Sequence, residues 1–355
     1  MDYIEIKGYK SIKQARIDLA PINILIGANG SGKSNFISFF DFLNRLYNRN
    51  LKEYIALKGG ENKLLHKGKK ITDEISFKME FGNGTNGYSA KLKSGADGFI
   101  FKEENLIYRG NNWDINKYES EAYIKSSPLY RASYIKNYLE GLRKYHFHDT
   151  SINSPFSLDS NILNDTYYLY ENGMNLSAFL YEIKQTNKIV YNMIIKTIQS
   201  VAPYFSDFFF APNNNNYLRL QWKDKYSDVV FGANDLSDGT LRFIALSVLF
   251  LQPKLPDTII IDEPELGLHP SAITKLTAMI KSAAAKGCQI IIATQSSDLI
   301  SYFTPEDIIT VDQIDGETKF NRLSSNELNK WLEDYTIDDL WKRNIIIGGQ
   351  PNHSL

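Results

Sequence analysis

The spacing of apolar residues changes along the chain and predicts where strands give way to helices. Residues 3–6 and 14–19 alternate between polar and apolar side chains and predict two strands. Residues 23–26 form a short apolar strand, and residues 35–47 carry apolar side chains spaced three and four apart. That spacing is typical of a helix with one buried face. The N-terminal part therefore predicts three strands and a helix, with residues 27–34 as the last connecting loop.

The next part of the chain returns to the period of two that strands show. Residues 75–81 and 88–92 alternate on either side of a loop rich in glycine and asparagine. Residues 99–108 extend the same pattern. We therefore predict an antiparallel sheet over residues 71–108.

Helical patterns follow in the middle of the chain. Helices are predicted within 117–144 and, as a pair, at 175–184 and 189–200, whereas the Ser-, Asn- and Asp-rich residues 151–166 predict a surface connection. No heptad pattern persists over several repeats, so long coiled-coil arms are not expected.

Buried elements dominate the C-terminal half. Residues 243–251 are apolar on nearly every side and predict a buried helix, and residues 258–261 form a β-branched run typical of a central strand in a covered parallel sheet. A helix should begin at Pro270 and end near Gly287. Residues 289–293 predict another buried strand. The pattern as a whole predicts an α/β protein with a mixed or parallel central sheet.

The loop between the third strand and the first helix carries recognisable chemistry. It fits G-x-x-x-x-G-K-[ST], with the strand before it and the helix after it that the pattern requires. In such a loop, backbone N–H groups surround phosphate oxygens, Lys33 reaches the β- and γ-phosphates, and Ser34 binds Mg²⁺. The other nucleotide-binding candidates are Gly27, Asn29, Gly30, Ser31, Gly32, Asn35 and Lys10. An ordinary glycine turn is the alternative, but the complete pattern favours a nucleoside triphosphate.

Two carboxylates follow the predicted central strand. Asp262 and Glu263 stand where ligands bind in open α/β sheets, at the carboxyl end of the strand. Asp262 is the candidate second Mg²⁺ ligand beside Ser34, and Glu263 is the candidate base for the attacking water. An acidic pair alone is common after strands, so the prediction depends on the phosphate loop upstream.

Ser237, Asp238 and Gly239 precede the buried helix and by themselves read equally well as an ordinary helix cap. Their position just upstream of the acidic pair resembles the signature motif of ABC-type ATPases. In that family the signature of one subunit contacts the γ-phosphate held by another, so ATP is sandwiched in a dimer. The resemblance implies that Ser237, Asp238 and Gly239 act in trans.

The resemblance extends over most of the chain and is closest to the SMC/RecF-like branch, in particular to AAA-family ATPases related to overcoming-lysogenisation-defect (OLD) proteins. It rests on GANGSGKSN, LSDGTLR, IDEPELGLHP, ATQSS and the C-terminal residues 331–351. It implies an ABC-ATPase-like P-loop fold, with an antiparallel β layer and a helical insertion. It also implies a D-loop at Gly267, Leu268 and His269. We expect an N-terminal lobe at 1–116, a mainly helical insertion at 117–205 and a C-terminal lobe at 206–355.

Two departures from the family pattern stand out. The switch position, usually histidine, is Gln295, which can bond a phosphate or water but cannot become cationic. Slow hydrolysis is therefore expected. No clear glutamine loop is present, and His148 and Asp149 occupy the expected region, either near the Mg²⁺ shell or simply packed at a strand end.

The charge balance, the cysteine count and the lengths of the apolar runs limit the classes of partner and the location that we expect. Lys and Arg number 40 against 41 Asp and Glu, so the charge balance indicates no general attraction to nucleic acid or membranes. Cys288 is the single cysteine and predicts a buried structural thiol rather than a disulfide or thiolate metal site. The N-terminus lacks the apolar core of a signal peptide, and no apolar run reaches membrane-spanning length. We expect a cytoplasmic protein with no membrane segment.

The resemblance implies ATP and Mg²⁺ as cofactors and a homodimer or higher even oligomer that acts as a switch. Relatives often act in anti-phage defence beside or fused to a TOPRIM-type nuclease, so a separate nuclease or effector, and nucleic acid, are the expected partners. About sixty residues follow Gln295, too few for a fused nuclease. Trp331 and Trp341 could dock such a partner or pack a last helix. The alternatives are a transporter's nucleotide-binding subunit, disfavoured by the 202 residues from Ser34 to Leu236, and an ATP-dependent scaffold with little turnover.

Overall fold

The computed structural model describes residues 1–96, 98–116, 118–343 and 346. The strands are β1 (Tyr3–Tyr9), β2 (Ile12–Asp18), β3 (Ile22–Ile26), β4 (Glu74–Phe81), β5 (Asn86–Ser94), β6 (Phe99–Tyr108), β7 (Asn111–Asp114), β8 (Leu142–Tyr145), β9 (Ser160–Asn161), β10 (Phe205–Phe209), β11 (Tyr217–Leu218), β12 (Gln221–Asp224), β13 (Val230–Gly232), β14 (Thr258–Asp262), β15 (Gln289–Thr294), β16 (Ile308–Ile314) and β17 (Glu317–Arg322). The α-helices are α1 (Lys33–Tyr47), α2 (Leu51–Leu57), α3 (Tyr130–Gly141), α4 (Leu176–Thr186), α5 (Lys188–Gln199), α6 (Asp238–Leu251), α7 (Pro270–Ala285), α8 (Ser297–Ile300), α9 (Ser325–Leu332) and α10 (Ile337–Lys342).

The chain forms two compact units. The first unit comprises Met1–Arg143 together with Gln289–Leu355, and the second comprises Lys144–Cys288. Each unit has its own buried apolar side chains. No helix in the described part of the chain has the length and apolar character needed to cross a membrane.

An antiparallel sheet forms one layer of the first unit. Its strand order is β2-β1-β4-β5-β6-β7, with every neighbouring pair antiparallel. β4 alternates strictly between partly exposed and buried residues, as expected for a strand with one face on a core. Its Phe77 packs against Phe39 of α1, with ring centroids 5.6 Å apart. The antiparallel layer predicted over 71–108 is confirmed, and β1 and β2 extend it.

A second layer of the first unit contains the phosphate-loop strand. β3 lies between β15 and β16 and is parallel to both, while β17 pairs antiparallel to β16. All five residues of β3 are buried. Asn23 within it donates from Nδ2 to the carbonyls of Ala20 (2.7 Å) and Ile290 (3.1 Å), which satisfies the buried amide. The predicted mixed α/β sheet is confirmed.

The second unit is mainly helical. α4 and α5 are the predicted helical pair, and α6, buried along most of its length, packs against α5 and α7. β14 is buried through four of its five residues, as its β-branched run predicts. Small antiparallel pairings, β10-β12-β13 and β9-β11, complete the unit.

The C-terminal end of the first unit holds the two tryptophans that the sequence singled out. Trp341 in α10 is buried, whereas Trp331 in α9 is 45% exposed. The Gly-Gly-Gln-Pro stretch at 348–351, part of the resemblance, lies outside the described residues.

Candidate functional site

The phosphate loop is shaped by its glycines. β3 ends at Ile26 and α1 begins at Lys33, so six residues make the turn. Gly30 and Gly32 have φ of +82° and +110°, which L side chains rarely adopt. A Cβ on Gly27 would lie 2.2 Å from the Val311 carbonyl oxygen, and one on Gly32 would lie 2.0 Å from Thr318 Oγ1. Glycine is required at both positions for the backbone to form this cradle.

The side chain of Lys33 folds back onto the loop that precedes it. Its ammonium donates to the carbonyl oxygens of Gly27 (2.6 Å) and Ala28 (3.0 Å), and the residue is 5% exposed. Burying a charge is costly unless polar partners compensate for lost water. These contacts hold the cation against the loop that precedes α1, where an anion is also favoured by the helix N-terminus. The cradle and the buried cation together fit a polyphosphate.

The other predicted nucleotide-binding residues divide into two groups. Asn29, Gly30 and Ser34 are exposed, and Ser34 lies in the first turn of α1. Asn35 instead donates to Ser11 Oγ (2.6 Å), and Lys10 donates to Ser38 Oγ (2.8 Å). Taken separately, the hydroxyl of Ser34 and the carboxylate of Asp262 are each the kind of oxygen donor that Mg²⁺ prefers.

Thr318 supports the phosphate loop from β17. Its hydroxyl donates to Ser11 Oγ (2.7 Å) and lies 3.1 Å from the Ser31 carbonyl oxygen. Thr318 thus connects the turn between β1 and β2, where Ser11 lies, to the phosphate loop. Sequence reasoning did not identify this threonine, since no local pattern marks a partner 287 positions away.

Gln295 follows β15 at the same edge of the sheet as the loop. Thr294 and Ile26 are paired across the parallel strands β15 and β3. The next residues along the two strands, Gln295 and Gly27, therefore leave the sheet at the same end. The role of Gln295 as the switch residue stays a prediction.

In the second unit, the predicted signature residues lie at the start of α6. Ser237 is the N-cap, and its Oγ accepts from the Thr240 N–H at 3.3 Å. Asp238 lies in the first turn, where a carboxylate complements the helix dipole. Gly239 approaches the D-loop so closely that a Cβ there would lie 2.4 Å from the Gly267 carbonyl oxygen. The structure brings the predicted signature and D-loop into direct backbone contact.

The remaining D-loop residues lead into α7. His269 is the N-cap of that helix, and its Nδ1 accepts from the Ser271 N–H at 3.3 Å. Gly267 has φ of +76°, and Leu268 lies between it and the cap.

His148 contacts the main chain of the acidic pair. Its Nε2 donates to the Asp262 carbonyl oxygen at 2.8 Å, and its ring stacks on His146 with centroids 4.4 Å apart. Glu263, the next residue, has φ of +42°, a strained conformation for a non-glycine residue. The Asp149 carboxylate accepts from the Ser151 hydroxyl (2.7 Å) and N–H (3.0 Å), and these hydrogen bonds lower its pKa.

Arg242 links these segments within the second unit. Its guanidinium donates to the carbonyl oxygens of Phe147 (3.3 Å), His148 (2.8 Å) and Leu266 (2.9 Å). The sequence motif contains this arginine, but nothing in it reveals main-chain acceptors so distant along the chain.

Two solved structures show which fold the chain has. The SmcHead bound to the C-winged helix domain of ScpA is 16% identical, with a TM-score of 0.61 over 93% of this chain and 99% of that one. The Smc head domain with an extended coiled coil, bound to the C-terminal domain of ScpA, derived from Pyrococcus furiosus, is 16% identical, with a TM-score of 0.56 over 94% and 98%. The chain therefore has the ABC-type ATPase fold of SMC heads.

A family profile places the chain more narrowly. The family described as "AAA domain, putative AbiEii toxin, Type IV TA system" matches residues 22–301. The chain belongs to this family of AAA ATPases. No curated protein matches it.

Proposed function

We propose that this protein binds and hydrolyses ATP with Mg²⁺, and that two copies enclose the nucleotide. The observation that carries the proposal is the glycine cradle at the end of β3, with the buried Lys33 ammonium held over it. Such a cradle recognises phosphates through backbone N–H groups and one cation. Membership of an AAA ATPase family supports the same reaction.

The proposed roles follow from the residue types. Lys33 neutralises the β- and γ-phosphates, Ser34 and Asp262 bind Mg²⁺, and Glu263 orients and deprotonates the attacking water. Mg²⁺ would neutralise charge that develops on the phosphates. Gln295 contacts the γ-phosphate without supplying positive charge, so we propose slow turnover.

The signature region supports a shared site. Ser237 caps a helix whose N-terminus favours an anion, and Asp238 and Gly239 follow in its first turn. We propose that these residues contact the γ-phosphate held by the second copy, with Gly267, Leu268 and His269 at the same interface. ATP would then close the dimer and hydrolysis would open it.

The biological role is proposed from the family. The family description refers to a putative toxin of a type IV toxin–antitoxin system, which supports a role in defence. We propose that the ATP-dependent dimer switches a separate nuclease or other effector, with nucleic acid as a further partner. The exposed Trp331 is a candidate contact for that effector.

The test is ATP-dependent dimerisation of Glu263→Gln. Loss of the base should trap the ATP-bound state, so this variant should elute as a dimer with ATP and Mg²⁺ and as a monomer without them. Lys33→Ala in the same background should remain monomeric, because the dimer depends on bound triphosphate. A Glu263→Gln protein that binds ATP in calorimetry yet stays monomeric at high concentration would contradict the shared site.

A further inference from the structure

Arg242 uses its whole guanidinium group to contact main-chain carbonyl oxygens. It lies near the start of α6, five residues after Ser237, and is half-buried. Its Nε, Nη1 and Nη2 each donate to a different main-chain carbonyl, those of Phe147, Leu266 and His148. A planar guanidinium offers this fork of donors in fixed geometry, whereas lysine offers a single compact charge.

The acceptors belong to two segments with separate predicted roles. Leu266 directly precedes Gly267 of the D-loop. His148, with Asp149, is predicted to occupy the glutamine-loop region, and Phe147 directly precedes it. Arg242 therefore connects the signature helix to both segments at once.

A second hydrogen bond continues the connection to the acidic pair. The imidazole of His148 donates to the Asp262 carbonyl oxygen at 2.8 Å, and His148 is also an Arg242 acceptor. Two hydrogen bonds thus separate the Arg242 side chain from the main chain at Asp262. Glu263 follows in a left-handed conformation, which persists only where its surroundings hold the backbone.

The backbone packing leaves these elements little room to move independently. A Cβ on Gly239 would lie 2.4 Å from the Gly267 carbonyl oxygen, and a Cβ on Gly267 would lie 2.8 Å from Arg242 Nη1. The start of α6 and the D-loop are therefore in close contact, with the guanidinium across the contact. A displacement of α6 would disturb the hydrogen bonds to Leu266 and His148 together.

We propose that Arg242 is a positioning residue that couples the signature helix to the backbone of Asp262 and Glu263. Contact between Ser237 and the triphosphate held by a second copy would act through Arg242 and His148 on the placement of the Glu263 carboxylate. This inference rests on the proposed function, because it assigns a route between two parts of the same site. Arg242 itself touches neither nucleotide nor water in this scheme.

A purely structural role for Arg242 makes a different prediction. If Arg242 only holds α6 against its neighbours, its substitution would lower the thermal stability and the fraction of active protein. It would leave kcat per folded molecule and KM unchanged. A positioning residue should lower kcat per folded molecule while KM for ATP, set largely by the phosphate loop, stays the same.

The experiment compares Arg242→Lys with Arg219→Lys. Arg219 lies in the same unit and pairs on the surface with Asp159, so it is a matched control for the substitution. Arg242→Lys should lower kcat about 10- to 100-fold with KM within about twofold, and Arg219→Lys should change neither. A wild-type kcat for folded Arg242→Lys, or a loss no greater than its loss of folded protein, would overturn the proposal.

The activity of a double variant distinguishes a shared route from a general loss of stability. If Ser237 and Arg242 act on one route, Ser237→Ala combined with Arg242→Lys should lose less activity than the product of the two single losses. Multiplicative losses would contradict a shared route.

Hydrogen exchange separates this inference from the proposed function. Without nucleotide, Arg242→Lys should exchange faster than wild type in peptides covering 147–149 and 262–268, and Arg219→Lys should not. Unchanged exchange there would overturn the inference even if the protein is an ATPase. A wild-type protein without ATP turnover would instead refute the proposed function, while exchange would still decide whether Arg242 holds these segments.

Discussion

The phosphate loop and the signature region are built in opposite ways. In the loop, Lys33 reaches back to carbonyl oxygens only five and six residues earlier. In the signature region, Arg242 bonds Leu266, 24 positions away, and His148, 94 positions away. The lysine of the phosphate loop finds its acceptors within the loop itself, whereas the arginine of the signature region finds them only where distant segments meet in the fold.

This difference has a functional consequence. A locally closed loop can bind phosphate in a single copy, so substitutions there should remove binding itself. A region assembled from several segments depends on their mutual placement, so substitutions there should affect turnover and stability more than nucleotide affinity. Substitutions at Lys33 and Gly239 test this contrast.

The largest effect is expected for Lys33→Ala. Loss of the buried ammonium removes a side-chain cation from the cradle, and we expect turnover to fall by about 100-fold or more, with ATP affinity greatly weakened. Calorimetric titration with ATP and Mg²⁺ measures the affinity directly. Lys58→Ala, an exposed lysine of the same unit, is the control. Wild-type affinity in Lys33→Ala would show that the triphosphate binds elsewhere.

A smaller effect is expected for Gly239→Ala in the signature region. An alanine in a helix normally stabilises relative to glycine by about 0.4–1 kcal/mol, through the unfolded state. Here the added Cβ would meet the Gly267 carbonyl oxygen at 2.4 Å, so we expect destabilisation by about 1–3 kcal/mol instead. Urea unfolding measures the free energy.

Gly232→Ala provides the comparison for that measurement. Gly232 has φ of −92°, and a Cβ there would lie 3.6 Å from Asp235 Oδ2, an ordinary contact. Gly232→Ala should therefore lower the free energy of unfolding only slightly. If Gly239→Ala were as stable as wild type, this would contradict the close approach of Gly239 to the Gly267 carbonyl oxygen.

The smallest effect concerns Glu317, next to Thr318 on β17. Hydrogen bonds from Lys319 and Lys13 lower the pKa of its carboxyl to about 2, from an ordinary value of 4.5. A lowered folded-state pKa means that the stabilisation is fully present above about pH 4.5 and is lost as the pH falls towards 2. Both pairs are at the surface, so the contribution is small.

Thermal unfolding of wild type and Glu317→Gln between pH 7 and pH 3 measures this contribution. The wild type should have a slightly higher midpoint at pH 7, and the two midpoints should converge as the pH falls. A difference that grows on acidification would contradict the assigned direction of the shift.

Sequence patterns predicted the elements that are defined locally. The strand before the phosphate loop, the helix after it, the buried helix at 243–251 and the strand at 258–261 all carry their period in consecutive residues, and the structure confirms them. α2 was not predicted, because seven residues with three buried side chains give too short a pattern to recognise.

The parts of the candidate site that sequence could not supply depend on tertiary contacts. The support that Thr318 gives to Ser31 joins residues almost at opposite ends of the chain. The bond from His148 to Asp262 spans 114 positions, and its acceptor is a carbonyl that every residue carries. A pattern of side chains can indicate which residues carry chemistry, but main-chain acceptors become visible only in the fold.

The contacts of Arg242 also bear on how such proteins can be compared. In these hydrogen bonds Phe147 and Leu266 accept through main-chain oxygens, which every residue carries. Substitutions at either position therefore need no compensating change at 242. Methods that infer proximity from correlated substitutions among related sequences would find no signal for these contacts, although they join three segments of the second unit.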